Sequence, residues 1–209
     1  VGLALLAEEE DGGVVVSFML PPFLKTRVRL LPLPVGAERE PFELRLFFDH
    51  PYGRQLVLPS TFGFPDPVWE ARHLLREAER DGNTYSRFLY PVLVRHFLAH
   101  HERDRGFVVP HPTKPLVLSV PLFVKQHMRG YENAAHLTEG RDVTIKRVGK
   151  GIDTTYHVEW HDPIPAVDDE HAETLEADCA DFDPADYVRP FNRRRYDELC
   201  RRLFNPSVR

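Results

Sequence analysis

Asp142-Val-Thr-Ile-Lys-Arg-Val-Gly-Lys-Gly-Ile-Asp-Thr-Thr-Tyr-His-Val-Glu-Trp160 alternates apolar and polar residues on both sides of a Gly149-Lys150-Gly151 tip. Val143, Ile145 and Val148 lead into the tip, and Tyr156, Val158 and Trp160 leave it. A period of two flanking glycines that reach positive φ without strain predicts a β-hairpin. Lys146, Arg147 and Lys150 cluster on or near the tip, and Tyr156 follows. Cations beside an exposed ring are what a strand of phosphates and bases requires. A surface hairpin kept soluble by its lysines has the same composition, so this segment alone leaves both readings open.

Upstream of the hairpin, residues 14–58 carry the same period. Val14–Leu20 is apolar, Lys25–Leu31 and Phe42–Phe48 alternate, and Gln55–Leu58 is short and apolar. Prolines 21, 22, 32, 34, 41, 51 and 59 fall at the ends of these runs, where they cost no ladder bonds. The period then changes. Asp66-Pro67 is an N-cap with proline at the first helical position, and Val68, Ala71, Leu74, Leu75 and Ala78 predict one helical face that stops at Asp81-Gly82. Strand pattern returns in Tyr85–His101 and Lys114–Val120, and Pro121–Leu137 reads as a helix.

These elements predict a mainly β fold: an OB-fold barrel over residues 1–160 with a helical insertion at about 66–82 and a C-terminal helical extension. An α+β sandwich is the alternative architecture. Beyond Trp160 the character shifts. His161–Pro165 reads as a linker and Asp168–Asp186 as an acidic stretch of little periodicity. Within Tyr187–Phe204, Tyr196, Leu199, Cys200, Leu203 and Phe204 outline the apolar face of a basic helix.

The net charge of −5 is unevenly spread. Residues 1–23 hold four acids and no base, 24–160 hold 20 bases against 16 acids, and 161–209 hold 7 bases against 12 acids. A mildly basic body between acidic ends fits a polyanion partner. No apolar run approaches the roughly 20 residues that span a bilayer, so no membrane association is expected. Val1–Ala7 is too short and lacks the basic flank of a signal peptide. Cys179 and Cys200 are too few for a disulfide framework or a four-cysteine zinc site, which favours a reducing intracellular setting.

Basic and aromatic residues recur along the body. Arg27, Arg29 and Arg45 lie on early strands; Tyr52 and Arg54 flank a turn; Tyr85, Arg87, Tyr90 and Arg95 lie on the long middle segment. Lys114, Lys125, Lys146, Arg147, Lys150 and Tyr156 complete the set. Together they form a candidate single-strand interface of phosphate-tracking cations and stacking rings. Phe42, Phe47, Phe48, Phe88 and Trp69 are assigned to packing. His50, His96, His100, His101 and His111 raise the question of a metal, yet neighbouring strand residues point to opposite faces and no His-Glu-x-x-His or Cys-x-x-Cys spacing accompanies them. No nucleophile elbow and no phosphate-binding glycine loop is present. Neither an enzyme nor a cofactor is therefore expected, and no metal.

The order of segments resembles the single-stranded DNA-binding, helix-destabilising proteins of tailed phages, the T4-like class. The resemblance runs from about Val28 to Trp160. It rests on Val28–Pro34, Pro41–His50, Pro59-Ser-Thr61, the Tyr85-Ser-Arg87 entry to a long strand, Lys114–Met128, and above all the closing hairpin Asp142–Tyr156. It implies an OB-fold that coats single strands during phage replication, recombination and repair in the host cytoplasm. By position it implies stacking and phosphate contacts from Tyr85, Arg87, Tyr90 and Arg95, joined by Lys150 and Tyr156. Members of that class hold zinc through a histidine and three cysteines after the Ser-Thr pair. Here Phe62–His73 contains no cysteine, so bracing by the capped helix around Trp69 is expected instead. The class also uses a basic N-terminal motif for cooperative assembly, whereas this N-terminus is acidic. Its acidic C-terminal tail recruits replication partners, a role open to Asp168–Asp186. The rival readings are an RNA-binding OB module, a histidine-based metal-dependent nuclease, and an adaptor working through the C-terminal helix.

Overall fold

A computed structural model of the chain describes residues 17–19, 24–32, 41–77, 82–99, 115–128, 135, 137, 139–149, 153–165, 169–180, 182–188 and 190–204. The protein is mainly β. Among the described residues eight strands form one sheet: β1 (Ser17–Met19), β2 (Leu24–Leu30), β3 (Phe42–Asp49), β4 (Arg54–Val57), β5 (Gly82–Ala99), β6 (Leu116–Pro121), β7 (Arg141–Val148) and β8 (Thr155–Pro163). Its main path runs β1-β6-β5-β2-β7-β8, and β3 pairs with both β5 and β4. The β1–β6 pair is parallel, while β2–β5, β2–β7, β3–β4 and β7–β8 are antiparallel. Among the described residues no pairing joins β1 to β8. Among the described residues five helices accompany the sheet: α1 (Pro67–Glu70), α2 (Arg72–Glu77), α3 (Leu122–His127), α4 (Asp169–Ala180) and α5 (Arg193–Phe204).

The chain divides into two compact units. The first comprises the chain up to Phe42 together with Phe88–Tyr187; the second comprises Glu43–Arg87 and the chain from Val188 onward. In the first unit Val28, Leu30, Tyr90, Val92, Val94, Leu118, Val143 and Ile145 face inward from four strands, with Val124 and Met128 from the α3 region. Tyr156, Val158 and Trp160 pack against this core from β8, as the period of two predicts. Leu31, Leu93, Leu137 and Leu175 form a smaller cluster. In the second unit Phe47, Leu56, Leu58 and Val68 pack with Tyr196 and Leu199 of α5.

The helix preceding β5 differs from expectation. One helix with a continuous apolar face is predicted after Asp66, but the chain breaks at Ala71 into α1 and α2. Val68 is fully buried, whereas Leu74 is 60% exposed. Asp66 does cap α1, accepting the Trp69 N–H at 3.1 Å. Two further differences lie beyond Trp160. Asp168–Asp186, read as an acidic stretch of little periodicity, is mostly helix: α4 occupies the larger part of it and buries Ala172 and Leu175. Its Glu, Ala and Leu content supplies helix propensity that a weak hydrophobic period hides. His161–Pro163 is the end of β8 rather than a linker. Of the helix predicted over Pro121–Leu137, α3 covers Leu122–His127, and Met128 caps it by donating to the Val124 and Lys125 carbonyls at 3.0 and 3.1 Å; residues 129–134 lie outside the described residues. α5 carries the predicted apolar positions Tyr196 and Leu199 inward, although Phe204 is exposed.

Candidate nucleic-acid interface

Register decides which charged side chains share a face. In the β2–β7 pair Lys25 stands opposite Lys146, Arg27 opposite Thr144 and Arg29 opposite Asp142. In the β7–β8 hairpin Lys146 stands opposite His157 and Thr144 opposite Glu159. Thr26, Val28, Val143 and Ile145 are buried on the core side of these strands. The intervening residues therefore project from the other face, because side chains alternate. Lys25, Lys146 and His157 form one row across three strands. With Thr144 and Glu159 they line a concavity of about 280 Å³. Lys25 Nζ lies 3.9 Å from Glu159 Oε2, with both side chains substantially exposed. Such a pair contributes at most about 1 kcal/mol and is readily exchanged.

Beside this row lies a buried carboxylate. Asp142 is inaccessible to solvent and accepts from Arg27 Nε at 2.7 Å and from Arg29 Nε at 2.9 Å. Arg95 Nε lies 3.4 Å from the same group. Arg29 also donates to the Leu137 carbonyl at 3.0 Å and to the Ile164 carbonyl. Burial pulls the Arg29 guanidinium below its ordinary range, Asp142 opposes that shift, and neighbouring Arg95 and Arg27 add to it. Arg29 is fully enclosed, so the sequence-based assignment of a DNA contact to it is corrected to a structural role. Arg27 and Arg95 retain partial exposure, 26% and 19%, and border the concavity's face while holding Asp142.

The hairpin separates residues that sequence reading grouped together. Arg147 stands opposite Tyr156, and both lie on the core-side face, one residue out of phase with Lys146 and His157. Tyr156 is half-buried and packs against the first core. Lys150 and Lys114 lie outside the described residues, as do His100, His101 and His111. Tyr90 is 2% exposed within the core and has no open ring face, which corrects its assignment as a stacking platform. Lys125 sits 4.4 Å over the Phe88 ring.

The second unit holds the other predicted residues. Asp49 is buried and accepts from Arg54 Nε at 3.2 Å and from Arg202 Nη2 at 2.6 Å. Both guanidiniums lie over Tyr52, at 4.5 and 5.3 Å from its ring centre. Tyr52 remains 58% exposed. Arg45 pairs with Glu43 at 3.0 Å, donates to the Ser60 carbonyl at 3.3 Å, and lies 5.0 Å over Trp69. Arg72 lies over the same ring at 4.9 Å. Tyr85 and Arg87 are half-buried. Burial pushes the Tyr85 phenol up to about 12, and Arg87 opposes the shift.

No protein-family model matches the chain, and no curated protein matches it.

Lys25, His157 and Glu159 were not singled out from the sequence. The signal was available in the hairpin, where pairing about a fixed turn puts His157 opposite Lys146. Lys25 could not be found so, since its place beside Lys146 depends on a pairing between residues far apart in sequence. Among the described residues no three histidine, cysteine or acidic side chains are grouped to hold a metal ion. Among them, too, no helix is long and apolar enough to cross a membrane. Chemically, the face offers two partly exposed ammonium groups, two partly exposed guanidiniums and one imidazole beside the Glu159 carboxylate, a largely cationic set suited to holding phosphates in a row.

Proposed function

We propose that this chain is a non-catalytic, largely sequence-independent single-stranded DNA-binding protein, acting in phage DNA replication, recombination and repair. Its strand-rich body is read as an OB-type scaffold. The observation that carries this reading is the Lys25–Lys146–His157 row across β2, β7 and β8. Two lysines opposite one another repel, and the exposed Lys25–Glu159 pair offsets this only weakly, so their juxtaposition is not explained by sheet stability. A polyanion relieves that repulsion. Arg27, fixed at Nε by Asp142, extends the row with a guanidinium that loses little freedom on binding. The His157 ring, on the same face, is the group placed to stack a base. The acidic helix α4 is proposed as the contact for replication or recombination proteins.

Fluorescence anisotropy with labelled oligo-dT, oligo-dA and a DNA duplex tests this. The reading expects similar affinity for the two single strands, weaker binding to duplex, and a linear fall of log K with log salt. Binding that is absent, or that prefers duplex, defeats it.

A further inference from the structure

The second unit presents an aromatic cluster that the face on β2, β7 and β8 does not use. Pro59–Phe62 forms a single helical turn that ends at Gly63 with φ +77°, a left-handed position favouring glycine. Phe62 and Phe64 flank that glycine in the sequence. Both lie against Phe191, with ring centres 6.4 and 6.0 Å away. Phe62 is 37% exposed and Phe64 57%. Phe191 itself packs on the second core. One residue beyond it, past Asn192, come Arg193, Arg194 and Arg195, all exposed and all in the first turn of α5, which holds no acid. A helix start is where the macrodipole disfavours cations, so the dipole does not account for three arginines there.

One buried group joins the two halves of this patch. Asp66 is 2% exposed. Its Oδ2 accepts from Ser60 Oγ at 2.7 Å, and its Oδ1 accepts from Tyr196 Oη at 2.6 Å. The first bond holds the turn that carries Phe62; the second holds α5 directly after its three arginines. The two segments that carry the rings and the arginines are thus held in place before any ligand arrives, which lowers the entropic cost of binding.

We propose that this patch is a second binding site for single-stranded nucleic acid, an inference that rests on the reading above. Phe62 and Phe64 stack bases, and Arg193, Arg194 and Arg195 hold the adjoining phosphates. Flat apolar surface beside concentrated positive charge complements a strand with flat apolar bases and one negative charge per nucleotide. Stacking also tolerates any base.

The test uses the full chain and labelled oligo-dT over a salt series. Replacing both rings, Phe62→Ala with Phe64→Ala, should weaken binding at least about tenfold with the salt slope unchanged. Replacing Arg193, Arg194 and Arg195 together by Ala should lower the slope by about two, at about 0.7 per phosphate contact. Cross-linking of wild-type protein to an oligonucleotide carrying 5-iododeoxyuridine, mapped by mass spectrometry, should label the Phe62–Phe64 peptide; this arm stands even if a variant misfolds. The proposal is overturned if both variants match wild type, or if cross-links fall only elsewhere. In that event, loss of binding on Lys25→Glu with Lys146→Glu leaves the primary reading intact. A wild-type chain that binds no oligonucleotide overturns both.

Discussion

Arg29 donates from Nε to Asp142 Oδ1 at 2.9 Å, and both side chains are fully buried. The pair fixes β2 to β7 at the register that places Lys25 against Lys146. Removing the carboxylate's charge leaves a guanidinium without its counterion in a site water does not reach. Asp142→Asn is therefore expected to destabilise the first unit by about 3–5 kcal/mol, measured by chemical denaturation. A loss below about 1 kcal/mol would mean that the carbonyls of Leu137 and Ile164 suffice for Arg29.

Asp66 has a comparable role in the second unit, serving as N-cap of α1 and acceptor for Tyr196. Tyr196→Phe should cost about 1–3 kcal/mol, because one buried hydrogen bond to a charged group is lost. Asp66→Ala should cost more, since the cap is lost with it. Equal effects of the two substitutions would show that the cap contributes nothing.

Alkaline stability follows from two phenols. Burial raises Tyr85 from its ordinary value of 10.0 to about 12. Burial and the bond to Asp66 raise Tyr196 as well. A group that keeps its proton longer in the folded state than in the unfolded state contributes stability that is whole below pH 10. That stability is lost as pH climbs from 10 toward 12. Urea midpoints should fall across this window, and Tyr85→Phe should flatten the decline. An unchanged slope in that variant would place the responsible group elsewhere.

Gly82 opens β5 at φ +142°, and a Cβ there would lie 2.1 Å from the Phe48 carbonyl oxygen and 2.5 Å from the Phe47 ring. Neither neighbour can yield cheaply, one being backbone and the other core. Gly82→Ala is expected to cost well over 1 kcal/mol, read as a lowered thermal midpoint. A wild-type midpoint would show that β5 starts differently.

What the sequence made legible was local. The period of two in Val143–Trp160 gave the hairpin and its inward residues, and Asp66-Pro67 gave a helix start. Tyr90 was misread because its segment lacks clean alternation: Leu89, Tyr90, Val92, Leu93 and Val94 are all buried, so period alone could not separate core from surface. Arg29 was misread for a different reason. A buried arginine and an exposed one look alike until the distant Asp142 is brought to it by strand pairing. Likewise nothing local indicated that Val188 onward folds with Glu43–Arg87, a grouping built from Tyr196 and Leu199 packing on Phe47 and Val68. Phe62 and Phe64 could have been noticed as two rings around a glycine, but only the contact with Phe191 makes them a patch.

The Lys25–Lys146 row is the feature on which the functional account rests, and charge reversal of both residues reaches it most directly. Both side chains are partly exposed on the face opposite the core, so Lys25→Glu with Lys146→Glu should leave the thermal midpoint near wild type. In a salt-titrated oligo-dT binding curve, the account predicts a large loss of affinity and a salt slope shallower by about 1.4, two phosphate contacts at about 0.7 each. Wild-type affinity and slope in the doubly reversed protein would contradict it.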